Sequence, residues 1–224
     1  MMTHVCQLWR IFLLSTPSLW TQLDFSTPNS KQAVGLLGRS ENQPFDIYQA
    51  FGSNDEVEPF LSTALHNIYR LRQLEIISSL PQLWRMLTQF TNSAPELKRL
   101  RISNNLAVTG RDLGLPDTNF KGHLPKLTSL SLHYLRTNFH AFNCPSLTQF
   151  NFVTISNMEL QDLTSFFERC PSLEFIQISL SILQPPRDPP HKRTLLAALK
   201  ELRFDQAAVS PASSITSPFQ SVQR

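Results

Sequence analysis

The sequence predicts an α/β solenoid of stacked strand-plus-helix units, and three observations predict it. A proline-centred tetrapeptide recurs: Cys144-Pro145-Ser146-Leu147 returns as Cys170-Pro171-Ser172-Leu173, 26 residues on (170 − 144). Looser copies are Thr16-Pro17-Ser18-Leu19, Ala94-Pro95-Glu96-Leu97 and Leu124-Pro125-Lys126-Leu127. Most lead into an apolar pattern Leu-x-x-Leu-x-Leu, whose last two apolar residues alternate with polar ones as in a half-buried strand. The segments between these strands carry the three- and four-residue spacings of helices.

From the N-terminus, Val5, Leu8, Trp9, Phe12 and Leu13 share one helical face, and Pro17 ends that helix. Trp20/Leu23/Phe25 predicts the first strand, Lys31 to Gly38 a short helix, and Pro44 to Tyr48 a second strand. Val57, Phe60, Leu61, Ala64, Leu65 and Ile68 form the next helical stripe. Ser53 and Glu56 suit a capping box ahead of it, and Pro59 fits only a first turn. Leu71/Leu74/Ile76 gives a strand, and Leu83, Leu87 and Phe90 a helix after Pro81. Strands follow at Leu97/Leu100/Ile102, Leu127/Leu130/Leu132, Leu147/Phe150/Phe152, Leu173/Ile176/Ile178 and Leu199/Leu202/Phe204. Leu160, Leu163, Phe166, Phe167 and Cys170 supply one more helix.

Strand plus helix at a period of roughly 20–29 residues is the leucine-rich-repeat arrangement. Stacked units would share one core, with the strands lining a concave side. That pattern usually places Asn or Cys three residues after the last leucine, which only Asn105 satisfies, so the repeats are irregular. The expected division is a short helical segment over 1–20, an irregular repeat domain over 21–205 and a disordered tail over 206–224. The tail has no charged side chain from 206 to 223 and is rich in Ser, Pro and Ala.

Composition excludes several functions. The net charge of +3, from 20 basic and 17 acidic residues, is too small to point to nucleic acid. No apolar run of about 18 residues exists, so no membrane-spanning helix is expected. Three cysteines, Cys6, Cys144 and Cys170, and the lack of any Asn-x-Ser/Thr sequon fit a reducing, intracellular compartment, cytoplasmic or nuclear. The six histidines have no zinc-ligand spacing, and His133 and His140 lack a carboxylate close by in sequence. No phosphate-binding glycine loop and no Gly-x-Ser-x-Gly elbow occurs. The sequence therefore points to no catalytic residue, cofactor or metal site: a non-enzymatic protein. Gln184 to Arg193 reads as a proline-rich insertion between units, and Lys98, Arg99 and Arg101 as a solvated basic face.

His4-Val5-Cys6-Gln7-Leu8-Trp9-Arg10, followed by Leu14-Ser15-Thr16-Pro17-Ser18-Leu19-Trp20, resembles the end of an F-box, with its Val-Cys-x-x-Trp-Arg and Pro-x-Leu-Trp signatures. Thr21 to Ser26 and the stretch from Arg39 to Ile47 resemble fungal F-box proteins whose leucine-rich repeats follow directly. The family's opening Leu-Pro-x-Glu and first apolar helix have no counterpart, since only Met1, Met2 and Thr3 precede His4. A truncated or degenerate F-box is expected on that ground. The resemblance implies the substrate-receptor subunit of a cullin–RING ubiquitin ligase. Val5, Cys6, Trp9 and Trp20 would be core or facing positions toward a Skp-type adaptor, and the repeats would hold a protein substrate. The alternative is a plain repeat-built binding module with no ubiquitin role. In both, the outward strand positions Glu75, Arg101, Ser131, Asn151, Gln177 and Arg203 would form the partner-binding face, with Ser103, His133, Ser179 and Asp205 beside them.

Overall fold

Eight strands lie side by side in one parallel sheet, in the order of the chain. The computed structural model describes residues 6–25, 30–50, 58–78, 80–104, 113–117, 119–154, 158–180, 183–184 and 196–206. Val5, the Ser53/Glu56 pair, Asn105, residues 185–193 and the tail from 207 onward lie outside the described residues.

The main sheet consists of β1 (Gln22–Asp24), β2 (Phe45–Ala50), β3 (Leu71–Ser78), β4 (Arg99–Asn104), β6 (Ser129–His133), β8 (Gln149–Thr154), β10 (Phe175–Leu180) and β12 (Glu201–Gln206). Two-residue strands form two side ladders, β5 (Leu113–Gly114) with β7 (Leu135–Arg136), and β9 (Met158–Glu159) with β11 (Leu183–Gln184). The α-helices are α1 (Gln7–Leu14), α2 (Ser30–Arg39), α3 (Glu58–His66), α4 (Leu80–Leu87) and α5 (Leu160–Glu168). Proline fits α3 and α4 because Pro59 and Pro81 are second residues of their helices, where no N–H is needed.

The recurring tetrapeptide is a turn that launches a strand. Leu147 N–H donates to Cys144 C=O at 3.1 Å and Leu173 N–H to Cys170 C=O at 3.2 Å, with proline second in each turn. Leu97 on Ala94 and Leu127 on Leu124 repeat the bond. The cysteine and leucine of each Cys-Pro-Ser-Leu turn are fully buried. Strand alternation then sets the core. Leu23, Ile47, Leu74, Leu100, Leu130, Phe150 and Ile176 stand in one register row, each at most 2% exposed. Ile76, Ile102, Leu132, Phe152 and Ile178 form a second buried row. Burying one such side chain contributes about 1.5–3 kcal/mol.

The α/β character stands, but the leucine-rich-repeat solenoid with an F-box-like helical segment does not. The molecule is an open, all-parallel eight-stranded sheet with only five α-helices among the described residues. The connection from β6 to β8 holds β7 and a 3-10 turn over Phe139–Ala141 in place of an α-helix. The described part of the β4–β6 connection likewise holds β5 and a 3-10 turn over Asn119–Gly122. The reason is local. The core row recurs after 30 residues from Leu100 to Leu130, then after only 20 from Leu130 to Phe150. The short span 134–148 carries Asn138, Asn143 and Pro145, which favour turns over helix. At the N-terminus, α1 buries none of its residues, so 6–20 has no helical core of its own.

In the β6–β8 connection aromatic rings pack against the sheet from the 3-10 turn. Phe139 from the 3-10 turn sits 5.6, 5.2 and 4.9 Å, centroid to centroid, from Phe150, Phe152 and Phe166. Arg169, just after α5, closes that turn from outside by donating to the carbonyls of Phe139 (2.7 Å), Phe142 (2.9 Å) and His140 (3.2 Å). Gly122, at φ +64°, turns so closely under Ala141 that a Cβ would collide with the Ala141 carbonyl oxygen. Arg70 performs a similar task earlier in the chain. Its buried guanidinium reaches the carbonyls of Gln43 (3.3 Å) and Leu37 (3.4 Å) and lies 5.0 Å over the Phe45 ring.

Candidate binding surface

The strand faces opposite the buried rows carry the polar side chains. Glu75, Arg101, Ser131, Asn151, Gln177 and Arg203 occupy one register row, adjacent strand by strand from β3 to β12. Ser103, His133, Ser179 and Asp205 stand in the row beside it. A third row on the same side runs Asp46, Gln73, Arg99, Ser129, Gln149, Phe175 and Glu201. Strand alternation could have located this third row, since each member from Gln73 onward lies two residues before a named one. Its members fall outside the apolar pattern, and of them only Arg99 stands out in the sequence, as part of the basic cluster with Lys98 and Arg101.

The face changes character along the sheet. Toward β2–β4 it is charged and paired. Arg72 grips Asp46, which is 2% exposed, through two bonds of 2.8 and 2.7 Å. The β2–β3 register shifts between Phe45 and Asp46, and that irregularity leaves Arg72 without a strand partner of its own. The hydrogen bond to Asp46 holds the Arg72 guanidinium above its ordinary pKa. Arg101 meets Glu75 at 3.1 Å. Burial, then the charges of Asp46 and Glu75, push the Tyr48 phenol up. Toward β6–β12 the face is mostly amide and hydroxyl. Here a hollow of about 410 Å³ opens between Ser129, Ser131, Gln149, Asn151, Gln177 and Arg203, with Phe175 and Glu201 on its wall. Asn151 Oδ1 has no hydrogen-bond donor among the described residues. His133, bonded to Ser131 through Nε2 at 3.1 Å, is held below its usual pKa by burial and by Arg101.

The N-terminal residues divide. Cys6 and Trp9 are exposed, the Cys6 sulfur accepting from the Trp9 N–H at 3.5 Å. Trp20 is half-buried and works internally: its Nε1 donates to Leu13 C=O at 2.9 Å, and the Arg39 guanidinium lies 5.1 Å over its ring. Beside Trp9, Leu8 and Phe12 of the expected helical face are 78% and 55% exposed, and Ile11, outside that face in the sequence pattern, is 59% exposed. Among the described residues, this helix of two turns buries none of its side chains.

Among the described residues no three of His, Cys, Asp and Glu gather as metal ligands would, and no helix is long and apolar enough to cross a membrane. His140 does find a carboxylate in space, Asp162 at 3.4 Å.

No family model matches the chain, and no curated protein matches it. Among solved structures it is similar to a crystal structure of a protein from Bacteroides fragilis, a structural genomics target. The identity is 12%, over 70% of this chain and 51% of that one, with a TM-score of 0.42. The chain thus spans about half the length of that structure.

Proposed function

We propose that the protein is a non-enzymatic binding scaffold that holds a protein partner on its open sheet face and docks a second one through α1. In this reading it serves as a substrate receptor of a cullin–RING ubiquitin ligase, and α1 meets the Skp-type adaptor. The observation that carries the reading is the apolar surface of α1: Leu8, Trp9, Ile11 and Phe12 are each more than half exposed. Contiguous exposed apolar surface marks a partner site more often than a solvated one. The long polar face of the sheet offers the second, separate surface. The free thiols Cys6, Cys144 and Cys170 support a reducing compartment, cytoplasm or nucleus. A plain binding module without a ubiquitin role is the second reading, favoured by the internal use of Trp20.

Titrating purified Skp-type adaptor into the full chain by calorimetry separates the two. Saturable binding is expected, weakened more than about tenfold by the exposed double change Trp9→Ser with Phe12→Ser. No heat of binding would leave only the plain module.

A further inference from the structure

We infer that the open face takes an extended peptide with an acidic residue four positions from a large apolar one, the acid on Arg99 and the apolar side chain on Phe175. This rests on reading the open face as the partner surface.

Three ion pairs neutralise charges on that face. Asp46 holds Arg72, Glu75 holds Arg101, and Glu201 holds Arg203. Asp205 accepts from Gln177 and Ser179 at 3.4 and 3.3 Å. Among the described residues the Arg99 side chain has neither an ion pair nor a hydrogen bond, and the residue is exposed. One unneutralised guanidinium matches the single charge and forked geometry of a carboxylate better than the double charge of a phosphate. Phe175 is the matching apolar feature. It is 37% exposed on the wall of the hollow, with the Lys200 ammonium 6.0 Å from its ring.

Spacing connects the two. Arg99, Ser129, Gln149 and Phe175 are consecutive partners in one register row. Three strand-to-strand steps of about 4.8 Å put Arg99 and Phe175 about 14 Å apart. Four extended residues at about 3.4 Å each cover the same distance, and residues i and i+4 of an extended chain point to the same side. The residue midway also faces the sheet, over Ser129 and Gln149. An extended backbone presents free N–H and C=O groups to those hydroxyl and amide side chains. A helix would satisfy its main chain internally and leave them unmatched.

The test is to pan a displayed library of random 12-residue peptides on the full chain and measure the enriched peptides by fluorescence anisotropy. Winners are expected to carry Asp or Glu four positions from a large apolar residue. They should bind about tenfold more weakly to Arg99→Gln and to Phe175→Ala, both exposed positions whose change leaves the core alone. A third variant, Gln177→Arg, fills the hollow from the neighbouring row. Winners blocked by Gln177→Arg but indifferent to Arg99→Gln and Phe175→Ala, or without the spacing, would overturn the inference and leave the open-face reading standing. No winners, or winners indifferent to all three variants, would overturn both.

Discussion

Cys144 and Cys170 sit at the start of two successive turns, where burial suppresses the chemistry a thiol usually offers. Burial pushes Cys144 up to about 12, with Cys170 adding to the shift, and Cys170 up to about 11, while Arg169 pulls both the other way. Cys6 is exposed. A colourless disulfide reagent that releases a coloured thiolate should therefore titrate one thiol in the native protein and three in denaturant. Prompt reaction of two or three native thiols would contradict the packing. The linkage has a definite sign. Thiols of the unfolded chain ionise near 9.0, whereas the folded pair stays protonated to about 11 and 12. The stability they carry is whole below pH 9 and is lost as pH rises toward 11–12, because the unfolded state releases its protons first. A melting temperature that falls above pH 9, and falls less in Cys144→Ala with Cys170→Ala, is the expected result. At this scale the sequence was legible where a residue repeats. The cysteine-proline turns and the row from Glu75 to Arg203 follow from the period. Arg99 and Phe175 were not legible, since their meaning depends on which neighbouring charges are already paired.

Individual elements were legible where periodicity is local. α2 spans Ser30–Arg39 against an expected 31–38, and β2 falls where Pro44 to Tyr48 alternates. What sequence could not supply was the form of the connections between Asn104 and Gln149, because aromatic spacing alone does not separate a short helix from a 3-10 turn. Phe139 and Phe142 are buried although their connection holds a 3-10 turn and no α-helix of its own. Arg169 makes this possible by satisfying three carbonyls that a helix would have bonded itself. Arg169→Met should destabilise the protein by about 2–3 kcal/mol, read from the denaturation midpoint, since hydrogen bonds to a charged group are among the stronger ones. Arg169→Lys should recover little of that loss, because a single ammonium lacks the planar fork that spans three acceptors. Full recovery by lysine would mean that charge alone, and not the fork, holds the turn.

For the whole molecule, the α/β character holds, while the irregular leucine-rich-repeat solenoid gives way to an open, all-parallel sheet. Along the core row, spacings of 30 and 20 residues follow one of 26, so successive connections differ in length and form. The chain-ordered sheet has one further property. Because strand order equals chain order, β1 and β12 lie at opposite edges. Tension between the two ends would pull across the ladders and load one strand's hydrogen bonds at a time, as in a zipper, instead of shearing all of them together. In an optical trap the protein should yield in several small rips at low force. Each would release a strand and its connection, such as the 26 residues from Leu74 to Leu100 (100 − 74). At about 3.5 Å per residue, that is a gain of about 90 Å in contour length per rip. A single high-force rupture would show the sheet to be mechanically one body; stepwise peeling would make it a protein that a processive unfoldase can take apart from either edge.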